Sequence, residues 1–159
     1  MVLSLLIALT GPGRDIQNLW RNGAIQALLF APPKRTYDAS NEANLKALHT
    51  ALLLYHDSEG QFPAANGWMD AIEPRITTSD LAPGESAKKL VRPDLAGKAG
   101  QFGYALNANA AAKYKDDVGG PDAVLVYESK QTTRNASGDP ATDRDGMAIT
   151  IEGKLLSPK

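Results

Sequence analysis

The sequence predicts an α+β fold in which one spine helix packs on a C-terminal antiparallel sheet of about four strands. Two observations carry this expectation. Between Asn41 and Glu59, the residues Leu45, Leu48, Leu52 and Tyr55 recur at a 3-4-3 spacing that lays one apolar stripe along a helix. In the last third of the chain the pattern changes to short alternating or β-branched runs separated by turn residues. The 159 residues, 43% hydrophobic and 22% charged, suffice to bury a core without cross-links, and there is no cysteine to make one.

The chain opens on an apolar run, residues 2–9, stopped by Gly11-Pro12-Gly13 and far short of the ~20 residues that a membrane-spanning helix needs. It resembles the hydrophobic part of a signal peptide but has no basic segment before it. Residues 14–30 place Ile16, Leu19, Trp20, Ala24, Ala27 and Leu28 mostly at helical spacing, and Pro32-Pro33 ends the run. Residues 1–33 are therefore read as an apolar N-terminal arm, with membrane contact expected of residues 1–30, and residues 34–159 as the head.

In the head, Ser40 is placed to cap the spine helix, Glu42 sits in its first turn and Gly60 in its stop position. Residues 64–100 are rich in loop signals, and Trp68, Met69, Ile72 and Ile76 predict one short helix there, ended near Pro74. Strands are expected over 102–106, 123–127 and 147–151. The last leads through Glu152-Gly153 into Lys154-Leu155-Leu156 as a hairpin. The leucine stripe should face these strands, with Leu52 in the core. The flank of His49, Leu53 and His56 should stay available to a neighbouring subunit or to the arm, so that His56→Ala alters association alone.

The run Asn44-Leu45-Lys46-Ala47-Leu48-His49, then Ala51-Leu52, Tyr55-His56-Asp57 and Gly60-Gln61-Phe62-Pro63, resembles the helix end and following turn of type IV pilin-like proteins. Type II secretion pseudopilins and the bacterial prepilin-like family named for a His, nine residues and an Asp-Gly are the nearest in pattern. Gly67-Trp68, Ile72-Glu73-Pro74, the segment Phe102 to Asn107 and the segment Pro121 to Glu128 extend the likeness over about residues 41–157. The sequence departs from the pattern in two places. Residues 1–33 lack the uninterrupted apolar stretch of a prepilin, and at the C-terminal signature Glu152-Gly153 stands for Asp-Gly and Thr142 for the His.

Chemistry is sparsely signalled. Seventeen basic against eighteen acidic residues, scattered along the chain, leave no excess to follow a phosphate backbone, so no nucleic-acid partner is expected. The missing cysteines exclude thiol redox chemistry, thiolate zinc sites and Cys nucleophiles. His49 and His56 lie seven residues apart, ~10.5 Å along a helix axis, too far to share a metal ion. His56-Asp57-Ser58 holds the residue types of a hydrolytic triad, but neighbours on a helix point in different directions. Ser86-Ala87-Lys88-Lys89 matches Ser-x-x-Lys without the partner motifs of that chemistry, and Gly97, Gly100 and Gly103 lack a phosphate-cradle context. Asp139, Asp143 and Asp145 before Gly146 supply three carboxylates from one loop, a donor set suited to calcium, although not at EF-hand spacing. The resemblance to pseudopilins, some of which bind calcium in a C-terminal loop, points the same way.

The resemblance and the apolar arm together imply a structural role. The chain is expected to be a subunit of a pilin-like or pseudopilin-like extracytoplasmic assembly, self-associating through protein surfaces and using no catalytic residues. The alternative is a monomeric extracytoplasmic module that recognises a protein or glycan through the loops of residues 64–100.

Overall fold

The chain separates into two units, Met1–Lys34 and Arg35–Lys159. The computed structural model describes residues 33–158, nearly all of them in the second unit. Apart from Pro33, the expected arm, its short helix and its membrane contact lie outside the described residues. Among the described residues, no helix is long and apolar enough to cross a membrane.

The architecture is α+β. Helix α1 spans Asn41–Glu59, the bounds expected from its periodicity and caps. The Ser40 hydroxyl accepts a hydrogen bond from the Ala43 N–H (3.1 Å), satisfying one of the free donors of the first turn. At the other end Gly60 adopts φ 80°, a left-handed conformation that a side chain would strain, and its N–H closes on the His56 carbonyl at 2.7 Å. Leu45, Leu48 and Leu52 are fully buried, as expected; Tyr55 is half-buried at the edge of the same cluster.

Helix α2, Trp68–Ile76, buries Trp68, Met69, Ile72 and Ile76, the four residues whose spacing predicts it. It runs through Pro74 instead of ending there. Proline removes one ladder donor, but the turn beyond it is secured in other ways. Thr77 donates both its N–H and its hydroxyl to the Glu73 carbonyl (3.2 Å each), Arg75 Nη1 donates to the Ala71 carbonyl (3.1 Å), and Ile76 is anchored in the core.

The sheet has five strands and is mixed, where about four antiparallel strands were expected. They are β1 (Tyr104–Asn107), β2 (Val124–Ser129), β3 (Ser137–Gly138), β4 (Arg144–Thr150) and β5 (Leu155–Leu156), in the order β3-β1-β2-β4-β5. Four of them pair antiparallel; β3 adds a parallel edge to β1. It is a two-residue strand with no apolar alternation, placed by a loop that brings Ser137 opposite Leu106, and so leaves no periodic trace in the sequence.

Register puts two different rows across the sheet. Leu106, Val126, Ile149 and Leu155 are successive cross-strand partners and belong with the α1 leucines and the α2 apolar residues to the main core. Ala105, Tyr127, Ala148 and Leu156 form the next row, and since side chains alternate along strands, they face the opposite side and a smaller cluster with Ala136.

Candidate functional site

The flank of α1 expected to be free is occupied by the chain itself. His49 Nε2 lies 2.8 Å from the Ile151 carbonyl, and its ring sits against the β4–β5 turn, 3.1 Å from where a Cβ on Gly153 would stand. His56 Nε2 accepts a hydrogen bond from the Lys115 N–H at 3.1 Å, and its ring packs on Phe62 with centroids 5.0 Å apart. Leu53 is partly buried against the core. The two histidines do share one helix face, as their spacing requires, but the segments around 115 and 151 return to that face and bond to it. His56 is therefore a fastening of the monomer, which corrects the expectation that its loss would affect association alone. The α1 residues left outward are Glu42, Lys46, Thr50, Leu54, Asp57, Ser58 and Glu59, of which Leu54, 48% exposed, is the one large apolar side chain.

A second concentration of polar groups lies beside the N-terminal half of α1. Asn44 is fully buried, and its amide nitrogen donates to the carbonyls of Lys88 (3.0 Å) and Val91 (2.8 Å), binding the 3-10 segment Glu85–Leu90 to the helix. Its Oδ1 and the buried Tyr104 hydroxyl lie near each other but outside hydrogen-bond geometry. Glu128 is the cross-strand partner of Tyr104. One carboxylate oxygen accepts from the Met147 N–H at 2.7 Å; burial holds the group above the usual glutamate range, with Asp145 and Asp94 pushing the same way and Arg92 opposing. Arg92 pairs with Asp94 (2.7 Å) and Asp145 (2.8 Å).

The carboxylates considered for calcium divide between two places. Asp145 is turned to Arg92. Asp139 and Asp143 lie instead near the buried Tyr127 hydroxyl, whose pKa is raised by burial first and then by these two charges. Asp139 Oδ1 accepts from the Ala141 N–H (2.8 Å), and Asp143 Oδ2 from the Gln131 amide (3.2 Å). Among the described residues, no group of three or more His, Asp or Glu side chains is arranged to hold a metal ion.

Within residues 64–100, helix α2 is fixed to the segment 134–136 by contacts the sequence did not reveal. Trp68 Nε1 donates to the Ala136 carbonyl (2.8 Å) in the interior, and Asn135 Oδ1 accepts from the Met69 N–H (2.8 Å) at the start of α2. Asn135 also donates to Asp70 (2.6 Å), and Arg134 bonds both Asp70 (2.7 Å) and Glu73 (2.6 Å). The Asp70 carboxyl is held below its usual range by these bonds, Asn135 first. A groove of about 320 Å³ opens among Ala39, Gly84, Ala87, Val91, Pro93 and Ala96, walled almost wholly by apolar atoms.

None of the nucleophile motifs is assembled. Lys89 of the Ser-x-x-Lys pattern donates to the Ile76 carbonyl (3.0 Å), and Ser58 bonds the Tyr55 carbonyl and Arg75 while His56 engages Lys115. Two residues missed in the sequence had a readable signal. Asn44 occupies a helical position four before Leu48, on the buried stripe, and Glu128 lies two residues after Val126 on the same strand, hence on its core face. No protein-family model, curated protein or solved structure matches this chain.

Proposed function

We propose that the chain is a structural subunit of a pilin-like or pseudopilin-like extracytoplasmic assembly, acting through subunit packing and not through catalysis. The observation that supports this reading best is the unit formed by α1, the turn Gly60-Gln61-Phe62-Pro63 and the antiparallel strands on which the α1 leucines lie. These are the segments that carry the resemblance to pilin-like heads. Side chains with chemical potential are engaged with backbone groups of the same chain, which favours a scaffold. A stable subunit contact buries on the order of 1,600 Å² in total. The surfaces offered for it are the apolar arm and the outward stripe of α1 around Leu54.

Electron microscopy of the full-length chain tests this directly. Filaments or regular oligomers are expected, and removal of residues 1–33 should abolish them. Leu54→Lys should weaken assembly while leaving the unfolding midpoint of the head nearly unchanged, because an exposed position costs within about 0.5 kcal/mol. Monodisperse small particles at every concentration would refute the structural reading.

One observation favours the second reading, a monomeric extracytoplasmic module recognising a protein or glycan. The groove at Ala87, Val91 and Pro93 is lined, apart from Ala39, by the loops of residues 64–100, and two of its lining residues, Lys88 and Val91, are bonded to α1 through Asn44. Specific capture of one partner by the monomer, lost on filling the groove with Ala87→Trp, would select it.

A further inference from the structure

The two histidines of this chain fasten two different segments to α1 with opposite chemistry. We propose that this makes residues 114–117 a pH-released flap: protonation of His56 frees Lys115 from α1, while the His49 fastening stays closed.

The asymmetry follows from the partners. His49 faces a carbonyl, which can only accept, so its Nε2 carries a hydrogen. A second proton, on Nδ1, leaves that donor in place and adds charge to it, which strengthens the bond to Ile151. His56 faces the Lys115 N–H, which can only donate, so its Nε2 is the bare nitrogen and its one hydrogen is on Nδ1. Protonation puts a hydrogen on Nε2, and two donors then oppose each other. The Phe62 ring, tilted 45° to the imidazole with centroids 5.0 Å apart, packs against it and holds it where it stands.

The surroundings localise the effect. Upstream, Lys113 is retained by its carbonyl, which accepts from the Phe62 N–H at 2.9 Å, and Ala112 by its N–H to the Pro63 carbonyl at 3.2 Å. Downstream, Val118 is buried. Between them Tyr114 is 62% exposed, the most exposed large hydrophobic side chain among the described residues. Ala112 sits at φ 55°, a left-handed conformation costly for alanine, two residues before the segment. The charged groups on the two segments that meet at His56 are Asp57, with Oδ1 3.6 Å from Nδ1, and Glu59 on its own helix, and Lys113, Lys115, Asp116 and Asp117 along the returning segment. The Lys115 ammonium is taken by Glu152 of the β4–β5 turn at 2.7 Å, so that after release one surface ion pair still tethers the flap. The Gln61 and Phe62 side of the site carries no charge.

This inference does not depend on whether the chain assembles. The test is NMR of the ¹⁵N-labelled full-length chain from about pH 8 to about pH 5, the range in which imidazole changes charge. The ring Cε1–H signals report the two histidines, and amide protection factors are corrected for intrinsic exchange. The Lys115 amide should lose protection about tenfold, the scale of one part-buried hydrogen bond, with the midpoint of the His56 ring. The Gly153 amide, in the turn held by His49, should change less than about twofold. In His56→Gln, whose side-chain carbonyl accepts and does not titrate, Lys115 protection should become independent of pH. The wild-type titration decides the matter even if that variant folds poorly. A Lys115 amide unaffected by His56 ionisation, or a loss of protection that persists in His56→Gln, would overturn the proposal.

Discussion

The two faces of the central sheet are built on different principles, although they share every strand. On the α1 side the register row Leu106, Val126, Ile149 and Leu155 presents only large aliphatic groups, and it meets helices whose buried residues, Ala51 and Asn44 apart, are likewise large and apolar. On the other side the row Ala105, Tyr127, Ala148 and Leu156 places one ring between two alanines, and the nearby segment 130–143 adds little apolar area but many polar bonds. The first face is stabilised by area removed from water, the second by fitting a polar loop around a tyrosine. Substitutions should therefore fail differently on the two sides.

The largest effect is expected where apolar volume is removed from the first face. Leu52→Ala, at a fully buried position, should cost roughly 2–5 kcal/mol and shift the urea midpoint without changing the slope of unfolding. An exposed-site cost at Leu52 would mean that α1 does not rest on the sheet as described. A smaller effect is expected where volume is added. A Cβ at Gly138 would collide with Asp143 Oδ2 and stand 3.1 Å from the Tyr127 hydroxyl, so Gly138→Ala should cost about 1–3 kcal/mol on the second face. Pairing it with Asp143→Ala should recover part of that loss, since the colliding oxygen is gone. Strict additivity of the two changes would argue that the loop moves away without resistance.

The comparison also separates what the sequence discloses from what it hides. The spine helix was legible to the residue because its stripe, its Ser40 cap and its Gly60 stop are local signals, read within a few positions. Strands β1, β2 and β4 were legible in kind, with ends displaced by one to three residues, because alternation marks a core and not a boundary, whereas β3 was not legible. The reverse face was not legible. Trp68 to Ala136, Asn135 to Met69 and Arg134 to Asp70 are pairings across more than sixty residues, and the segment 134–136 that meets the start of α2 has no periodicity of its own. The His49 and His56 bonds escaped for the same reason, since a backbone carbonyl or N–H leaves no mark in the sequence that a histidine will find it.

Glu128 tests the boundary between the two kinds of construction, being a carboxyl on the apolar face. Its folded-state pKa is raised above 4.5, chiefly by burial, so between the ordinary value and the raised one the folded chain holds a proton that the unfolded chain has lost. Its contribution to stability must then fall as pH rises through that window. Glu128→Gln keeps an acceptor for the Met147 N–H and carries no charge, and should flatten this part of the curve. Urea midpoints of both proteins across the acidic and neutral range check it. A wild-type stability that rose with pH at Glu128's expense would reverse the assignment.

The smallest effect at neutral pH is expected at the centre of the second face. The Tyr127 hydroxyl is buried and makes no hydrogen bond among the described residues, so removing it gives up no bond and relieves a desolvated polar group. Tyr127→Phe should therefore leave stability near neutrality unchanged or slightly raised, although the ring lies at the heart of its cluster. Alkaline conditions should separate the variant from the wild type. Burial, with Asp143 and Asp139 adding repulsion, raises the phenol above 10.0, so beyond that pH the unfolded chain loses a proton that the folded chain retains, and wild-type stability must fall. The phenylalanine variant lacks this loss, while Tyr104, buried on the first face and shifted in the same direction, keeps its own share in both proteins. Unfolding midpoints that coincide near neutrality and diverge above pH ~10 in favour of Tyr127→Phe are the expected result. A clear destabilisation at neutral pH would mean that the hydroxyl is a working fastening of the 130–143 segment, and the second face would then be held by its tyrosine as well as by its loop.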